Sequence, residues 1–284
     1  MIPAAFDYVA PTSVDEALEA LRSDSEEIKV MAGGQSLIPV LRLRLAAPTL
    51  IVDLGRVDGL SGIRDEGDVL SIGAMTTHAD VAEHPLIKEH AALLGKATET
   101  VADPQVRHRG TLGGALVHAD PAGDLPAPIL ALDAELVIAG PGGERTVSAA
   151  DFFEDMFSTA VGEDELLVRV RVPKHTGWGA QYEKCTRVAQ QWSIVAVAAT
   201  VKTDGGAISE AKVALTNMGA KALRATAVEE ALQGQPATDD VVRRAAAGAA
   251  ESTNPPTDTN GDADYRRHLA TVLTRRAVLA AAGQ

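Results

Sequence analysis

Arg109-Gly-Thr-Leu-Gly-Gly-Ala-Leu-Val-His-Ala-Asp-Pro-Ala-Gly-Asp-Leu-Pro126 is the stretch from which the rest of this chain is best read. Gly110, Gly113 and Gly114 remove side chains from three positions in five, so the backbone is free to take positive φ and its N–H groups can approach a ligand closely. Thr111 adds a hydroxyl, and Asp120 and Asp124 follow as acceptors. A glycine–threonine loop that cradles phosphate, followed by acceptors for sugar hydroxyls, is a nucleotide-cofactor pattern. A plain glycine-rich turn leading into Asp-Pro punctuation fits the same residues, and the stretch alone leaves both readings open.

Upstream, Ile28-Lys-Val-Met31 reads as a strand that runs into a second glycine loop, Ala32-Gly-Gly-Gln-Ser36. Ser36 is placed to cap a helix over Leu37, Ile38, Leu41 and Leu45, with the loop amides aimed at an anion. Leu41 to Leu45 also alternates as a strand would. Neither G-x-G-x-x-G nor G-K-[ST] is present, although Asp53 lies where a dinucleotide fold would carry its acidic residue. Taken by itself, this loop reads more simply as a Gly-Gly turn after a strand.

Composition narrows the options. The chain has 284 residues, enough for two or three units each with its own core. Hydrophobic residues at 46% and charged residues at 23% mark a globular protein. With a net charge of −13 and its Lys and Arg scattered, it lacks a nucleic-acid footprint. Cys185 is the only cysteine, so this chain alone cannot build a disulfide, an iron–sulfur cluster or a thiolate zinc site. Its histidines show no zinc-hydrolase spacing, and no metal site is expected. No apolar run reaches the ~18 residues of a membrane span, and the N-terminus shows no secretory signal. A cytoplasmic protein is expected.

The remaining pattern is α+β. Ser13 and Glu16 form a capping box for a helix carrying Val14, Ala17, Leu18 and Leu21. Strands are expected at Leu50–Leu54 and Val69–Gly73, a helix start at Thr77, and a longer helix within His90–Val101. His78 reads as a capping or packing residue, and Arg107-His-Arg109 as a solvated face, with help in neutralising a diphosphate as the alternative. Ala134–Ala139, Gly140–Gly143 and Arg145–Val147 read as a hairpin. Pro173–Gly179 is the best linker. Beyond it, three strands and then three helices suggest an α+β domain.

With both loops placed, the sequence resembles the FAD-binding medium subunit of molybdenum hydroxylases, in particular the carbon monoxide dehydrogenase medium-chain family. The resemblance is carried by Ala32–Ser36, Thr111–Gly114, Ala119–Pro126 and Tyr182-Glu-Lys184 in order, and it runs over essentially the whole chain. It implies a two-subdomain FAD-binding domain of the PCMH type, residues 1–55 and 56–176. A C-terminal domain over 177–284 would follow, with a three-stranded antiparallel sheet and helices. The implied FAD contacts are Ala32, Gly33, Gly34, Gln35 and Ser36, then Thr111, Leu112, Gly113, Gly114 and Ala115. In this scheme the Ser36 and Thr111 hydroxyls donate to the diphosphate. Asp120 and Asp124 would accept from ribityl or ribose hydroxyls, turn formation being the alternative. Lys184 and Trp192 would lie near the flavin ring, a buried core Trp being the alternative for Trp192. Where the family commonly has an acid before that aromatic, this chain has Gln191, so no role resting on a charge carries over.

The same resemblance implies partners. They are a large molybdenum–pterin subunit and a small subunit with 2Fe-2S clusters, arranged as a dimer of heterotrimers, with a quinone or other external electron acceptor. The complex would be cytoplasmic, peripheral to the inner face of the membrane, with carbon monoxide as its substrate. Such a subunit places and tunes a flavin, so no nucleophile or acid–base pair is required of it. A self-contained FAD-dependent oxidoreductase of the same fold and a non-redox nucleotide-binding module are the competing readings.

Overall fold

The computed structural model describes residues 2–284, and its first unit grows from two short strand–helix repeats. β1 (Asp7–Val9) leads to α1 (Val14–Leu21), β2 (Ile28–Met31) leads to α2 (Leu37–Leu43), and β3 (Leu50–Asp53) inserts between the strands. The sheet is parallel, in the order β1-β3-β2. Its centre is the apolar run Leu-Ile-Val of β3, buried as a strand covered on both faces must be. Ser13 Oγ accepts the Glu16 N–H at 3.2 Å, and the Glu16 carboxylate reaches back to the N–H and hydroxyl of Thr12 at 2.7 and 2.9 Å. The ambiguous run after Ser36 is helical to Leu43 and stops where Arg44 turns left-handed at φ 56°.

The second unit begins with β4 (Ile63–Asp65) and β5 (Val69–Gly73). A helical layer follows: α3 (His78–Glu83), α4 (Pro85–His90), α5 (Ala92–Glu99), α6 (Pro104–Arg107), α7 (Leu112–His118) and α8 (Pro126–Ala131). β6 (Glu135–Gly140), β7 (Gly143–Ser148), α9 (Ala149–Phe152), the small hairpin β8 (Phe153–Asp155) and β9 (Ser158–Thr159), and β10 (Leu166–Pro173) complete it. The five-stranded sheet has the order β4-β5-β10-β6-β7. The helix expected to start at Thr77 is broken by His84-Pro85. A proline favours extended backbone in the residue before it, and His84 instead caps α4 by accepting the Leu86 N–H.

The third unit is β11 (Gly179–Cys185), β12 (Val195–Asp204), β13 (Ala207–Thr216), β14 (Leu223–Arg224), then α10 (Thr226–Leu232), α11 (Asp239–Ala246) and α12 (Ala263–Ala281). Its antiparallel sheet has four strands, not the three expected. The extra one, β14, pairs only Leu223 and Arg224 with β13, which is too short to show an alternating pattern in sequence.

Strand alternation joins these units. Leu136 and Ile138 of β6 face the helical layer, whereas Val137 and Ala139 face α1 and β3. Ala196 and Ala198 of β12 meet the same helical layer from the other side, and Val195, Val197 and Val201 bury against the C-terminal helices. The helical layer is therefore held between two sheets. Among the described residues, no helix is long and apolar enough to cross a membrane.

Candidate functional site

The first glycine loop leaves β2 as an open row of donors. Gly34 sits at φ 74°, which only glycine adopts freely. The N–H groups of Gly33, Gly34, Gln35 and Ser36 find no acceptor among the described residues. Ser36, expected to cap α2, does not: its backbone is already helical (φ −99°, ψ −45°) and its hydroxyl makes no cap hydrogen bond. A cap needs extended backbone to swing its oxygen onto the helix donors, so this hydroxyl is left to the cleft.

The second loop is closed on itself. Thr111 caps α7, its Oγ1 accepting the Gly114 N–H at 3.1 Å. The Leu112 N–H donates to Thr76 O at 3.0 Å, Gly113 N–H to Ala74 O at 2.8 Å and Ala115 N–H to Thr111 O at 3.1 Å. Gly113 lies so close to β5's end that an added Cβ would stand 2.5 Å from the Ala74 Cβ. Gly110 lies on the ring of His78, which would meet an added Cβ at 2.7 Å. His78 is buried, and that burial, with Arg107 adding repulsion, lowers its pKa to about 4, so its imidazole is neutral. It is a packing residue, as its sequence context suggested, and its Nδ1 has no hydrogen-bond partner among the described residues.

The two loops touch. A Cβ at Gly33 would fall 2.0 Å from the Arg109 carbonyl oxygen, and one at Gly114 would fall 3.2 Å from the Ala32 Cβ. Together they line a cleft of about 750 Å³, within the size range of cofactor pockets. Every predicted site residue lines it except Leu112, which points into the main core and is fully buried. As an i+1 neighbour of the cap, Leu112 lies on the helix face opposite the cleft. Arg107, His108 and Arg109 do not line it. Arg107 instead donates to Val101 O and His108 Nδ1 pairs with Pro104 O.

Downstream, Asp120 forms an Asx turn, its Oδ1 accepting the Ala122 N–H at 2.9 Å. Asp124 is buried in a network of its own. Its Oδ2 takes the Lys184 ammonium at 2.7 Å, and its Oδ1 takes the Tyr182 and Ser193 hydroxyls at 2.9 Å each. Burial holds its carboxyl above the usual range in spite of these partners, Lys184 first among them. Lys184 also donates to Thr100 O at 3.1 Å. The pair ties the second unit to the C-terminal sheet at the cleft wall. Trp192 is 53% exposed and borders the cleft, which removes the buried-core alternative. Gln191 beside it accepts the Arg187 N–H and donates to Asn260 Oδ1, each at 3.1 Å. Its neutral amide serves to anchor this turn.

Sequence reasoning left out Phe157 and His118, which also line the cleft. A phenylalanine in a hairpin turn was the available signal. The donor chemistry suits a diphosphate. Unpaired amides of a backbone nest offer positive potential without Lys or Arg, and glycine at position 33 lets the second loop's backbone close against the first.

Residues 4–175 match the FAD binding domain in molybdopterin dehydrogenase, and residues 180–281 match the CO dehydrogenase flavoprotein C-terminal domain. The chain is 40% identical to the carbon monoxide dehydrogenase medium chain of Hydrogenophaga pseudoflava, covering 99% of this chain and 98% of that one. It is 37% identical to the glyceraldehyde dehydrogenase medium chain of Sulfolobus acidocaldarius, over 98% of both. Among solved structures, carbon monoxide dehydrogenase from H. pseudoflava lacking the Mo-pyranopterin moiety superposes with a TM-score of 0.96 at 42% identity, covering 99% of this chain and 98% of that one. The sheet, the paired loops and these matches agree: the chain belongs to the family of FAD-binding medium subunits of molybdenum hydroxylases, the flavoprotein part of oxidoreductase complexes.

Proposed function

We propose that this chain is the electron-transferring medium subunit of an aerobic carbon monoxide dehydrogenase. In this reading a large subunit holds the molybdenum–pterin centre, a small one holds the 2Fe-2S clusters, and the complex is a cytoplasmic dimer of heterotrimers at the inner face of the membrane. FAD, when bound, would accept electrons from the small subunit and release them to an external acceptor such as a quinone. The working units are residues 1–55, 56–176 and 177–284. The observation that supports the flavin site is the backbone approach of Gly33 to Arg109, which brings the two loops to one cleft. The choice of carbon monoxide rests on likeness to carbon monoxide dehydrogenase medium chains. A glyceraldehyde dehydrogenase medium chain is nearly as similar.

In this assignment the amides of Gly33, Gly34, Gln35 and Ser36, with the Ser36 and Thr111 hydroxyls, hold the diphosphate. Ala32, Gly113, Gly114 and Ala115 keep the walls low enough for it to seat. Asp120 accepts from the ribityl or ribose hydroxyls. Asp124 and Lys184 neutralise each other at the wall beside the ring, and Trp192 lies against the ring. Two preparations test the whole. The chain purified alone should carry flavin yet oxidise no carbon monoxide. Co-expressed with its partner subunits, it should reduce an acceptor dye when carbon monoxide is supplied. Dye reduction by an aldehyde but not by carbon monoxide would overturn the substrate assignment and leave the flavin site standing.

A further inference from the structure

Phe157 is out of place by every local rule. It is the second of the two turn residues between β8 and β9, where Asp155 pairs with Ser158. Its φ is 55°, a conformation that suits glycine or asparagine and strains a bulky side chain. The strain does not serve burial, since the residue is 54% exposed. Backbone strain of this kind persists where the surroundings impose it, often at ligand sites. Here the Phe157 N–H donates to Ala119 O at 3.2 Å, and the ring packs on His118 with centroids 5.1 Å apart. Both rings line the cleft.

A second half-exposed ring stands beside the same segment. Residues 118–124 carry the Phe157 contact at one end. At the other, Asp124 accepts the Ser193 hydroxyl next to Trp192, and Pro121 O between them accepts the Asn217 N–H. Phe157 from the second unit and Trp192 from the third therefore border one cleft across one bridging segment. Aromatic faces left open in a cleft lined mainly by apolar residues and glycines suit a flat, apolar ring system.

We infer that Phe157 is a ring-packing wall of this cleft, held over it by the strained β8–β9 turn as a counterpart to Trp192. The inference rests on the flavin assignment above. Its ligand is a planar ring: either the flavin's own ring or that of an incoming acceptor such as a quinone.

The test uses the whole chain in wild-type form, as Phe157→Asn, which keeps the left-handed turn and drops the ring, and as Phe157→Tyr, which keeps the ring. Flavin affinity and bound-flavin fluorescence are measured by titration. Reoxidation of the photoreduced, flavin-loaded protein is followed with a naphthoquinone and with ferricyanide. If the flavin ring is the ligand, Phe157→Asn raises the flavin Kd about two- to tenfold, the factor of an ordinary aromatic contact, and Phe157→Tyr restores it. If the acceptor is the ligand, flavin affinity holds while the half-saturating naphthoquinone concentration rises by a like factor and ferricyanide is unaffected. Folded Phe157→Asn protein unchanged in both respects overturns the inference. A wild-type chain with no affinity for flavin overturns the cofactor assignment beneath it as well.

Discussion

In the loop Ala32–Ser36 the N–H groups from Gly33 onward meet no acceptor among the described residues, whereas in Thr111–Ala115 each N–H after Thr111 has one. The sequences look like two copies of one device, but the structure gives them different work. The first loop is an open nest of donors. The second is a clamp, its amides used up in fixing its own shape and in pinning it to Thr76 and Ala74, and it offers the cleft a hydroxyl and low walls. Their glycines differ in the same way. Gly34 is needed for its φ, Gly33 for backbone contact with Arg109, and Gly113 for contact with Ala74.

This contrast is open to test, beginning where the loops meet. Gly33→Ala would place a methyl 2.0 Å from the Arg109 carbonyl, and backbone cannot swing away as a side chain does. The flavin-to-protein absorbance ratio should fall to near zero and stability should drop by about 1–3 kcal/mol, the usual range for overpacking. Full occupancy would mean the contact between the loops is not what closes the site. Gly114→Asp sets a carboxylate beside Thr111 and Ala32, where the proposed diphosphate would seat. Flavin Kd should rise about a hundredfold or more from an unpaired charge, with the protein still folded by circular dichroism; unchanged affinity would place the diphosphate elsewhere.

His78 backs the clamp, and it predicts a pH dependence. Its folded pKa of about 4 lies below the 6.5 of a free imidazole, so between these values the unfolded chain binds the proton more tightly. The contribution is fully present above pH 6.5 and is lost as pH falls through that window, about 3 kcal/mol in all. Urea unfolding of His78→Gln should show an acid limb shallower by that amount, and an unaltered limb would mean the ring is not buried as described. The smallest effects separate the hydroxyls. Thr111→Val should lower stability by about 1 kcal/mol through loss of a cap. Ser36→Ala should change melting by no more than about 0.5 kcal/mol while weakening flavin roughly fivefold through one lost hydrogen bond. A destabilised Ser36→Ala would show that the first loop is also a clamp.

Much of the fold was legible because its signals are local. Strand alternation, the Ser13 and Glu16 pair and the turn at Gly140–Gly143 depend on near neighbours, and each appears in the structure. Ser36 misled because cap chemistry is read from residue type, whereas capping requires an extended backbone that residue type does not reveal. Leu112 belongs to the loop by sequence and to the core by its place on α7. Asp124 and Lys184 looked like separate ligand contacts because nothing in the sequence pairs charges so far apart. Phe157 went unnoticed because a turn aromatic has meaning only beside the cleft it borders.

The sequence determined the family, because the order and spacing of the two glycine loops and of the segments after them carry the resemblance to FAD-binding medium subunits, and glycine, having no Cβ, lets backbone take positive φ and approach closely. Tertiary structure alone decided which loop donates and which one clamps. A free amide differs from a satisfied one only in whether a distant carbonyl has been folded against it, and that depends on how β5, α7 and β2 pack rather than on any residue within the loops.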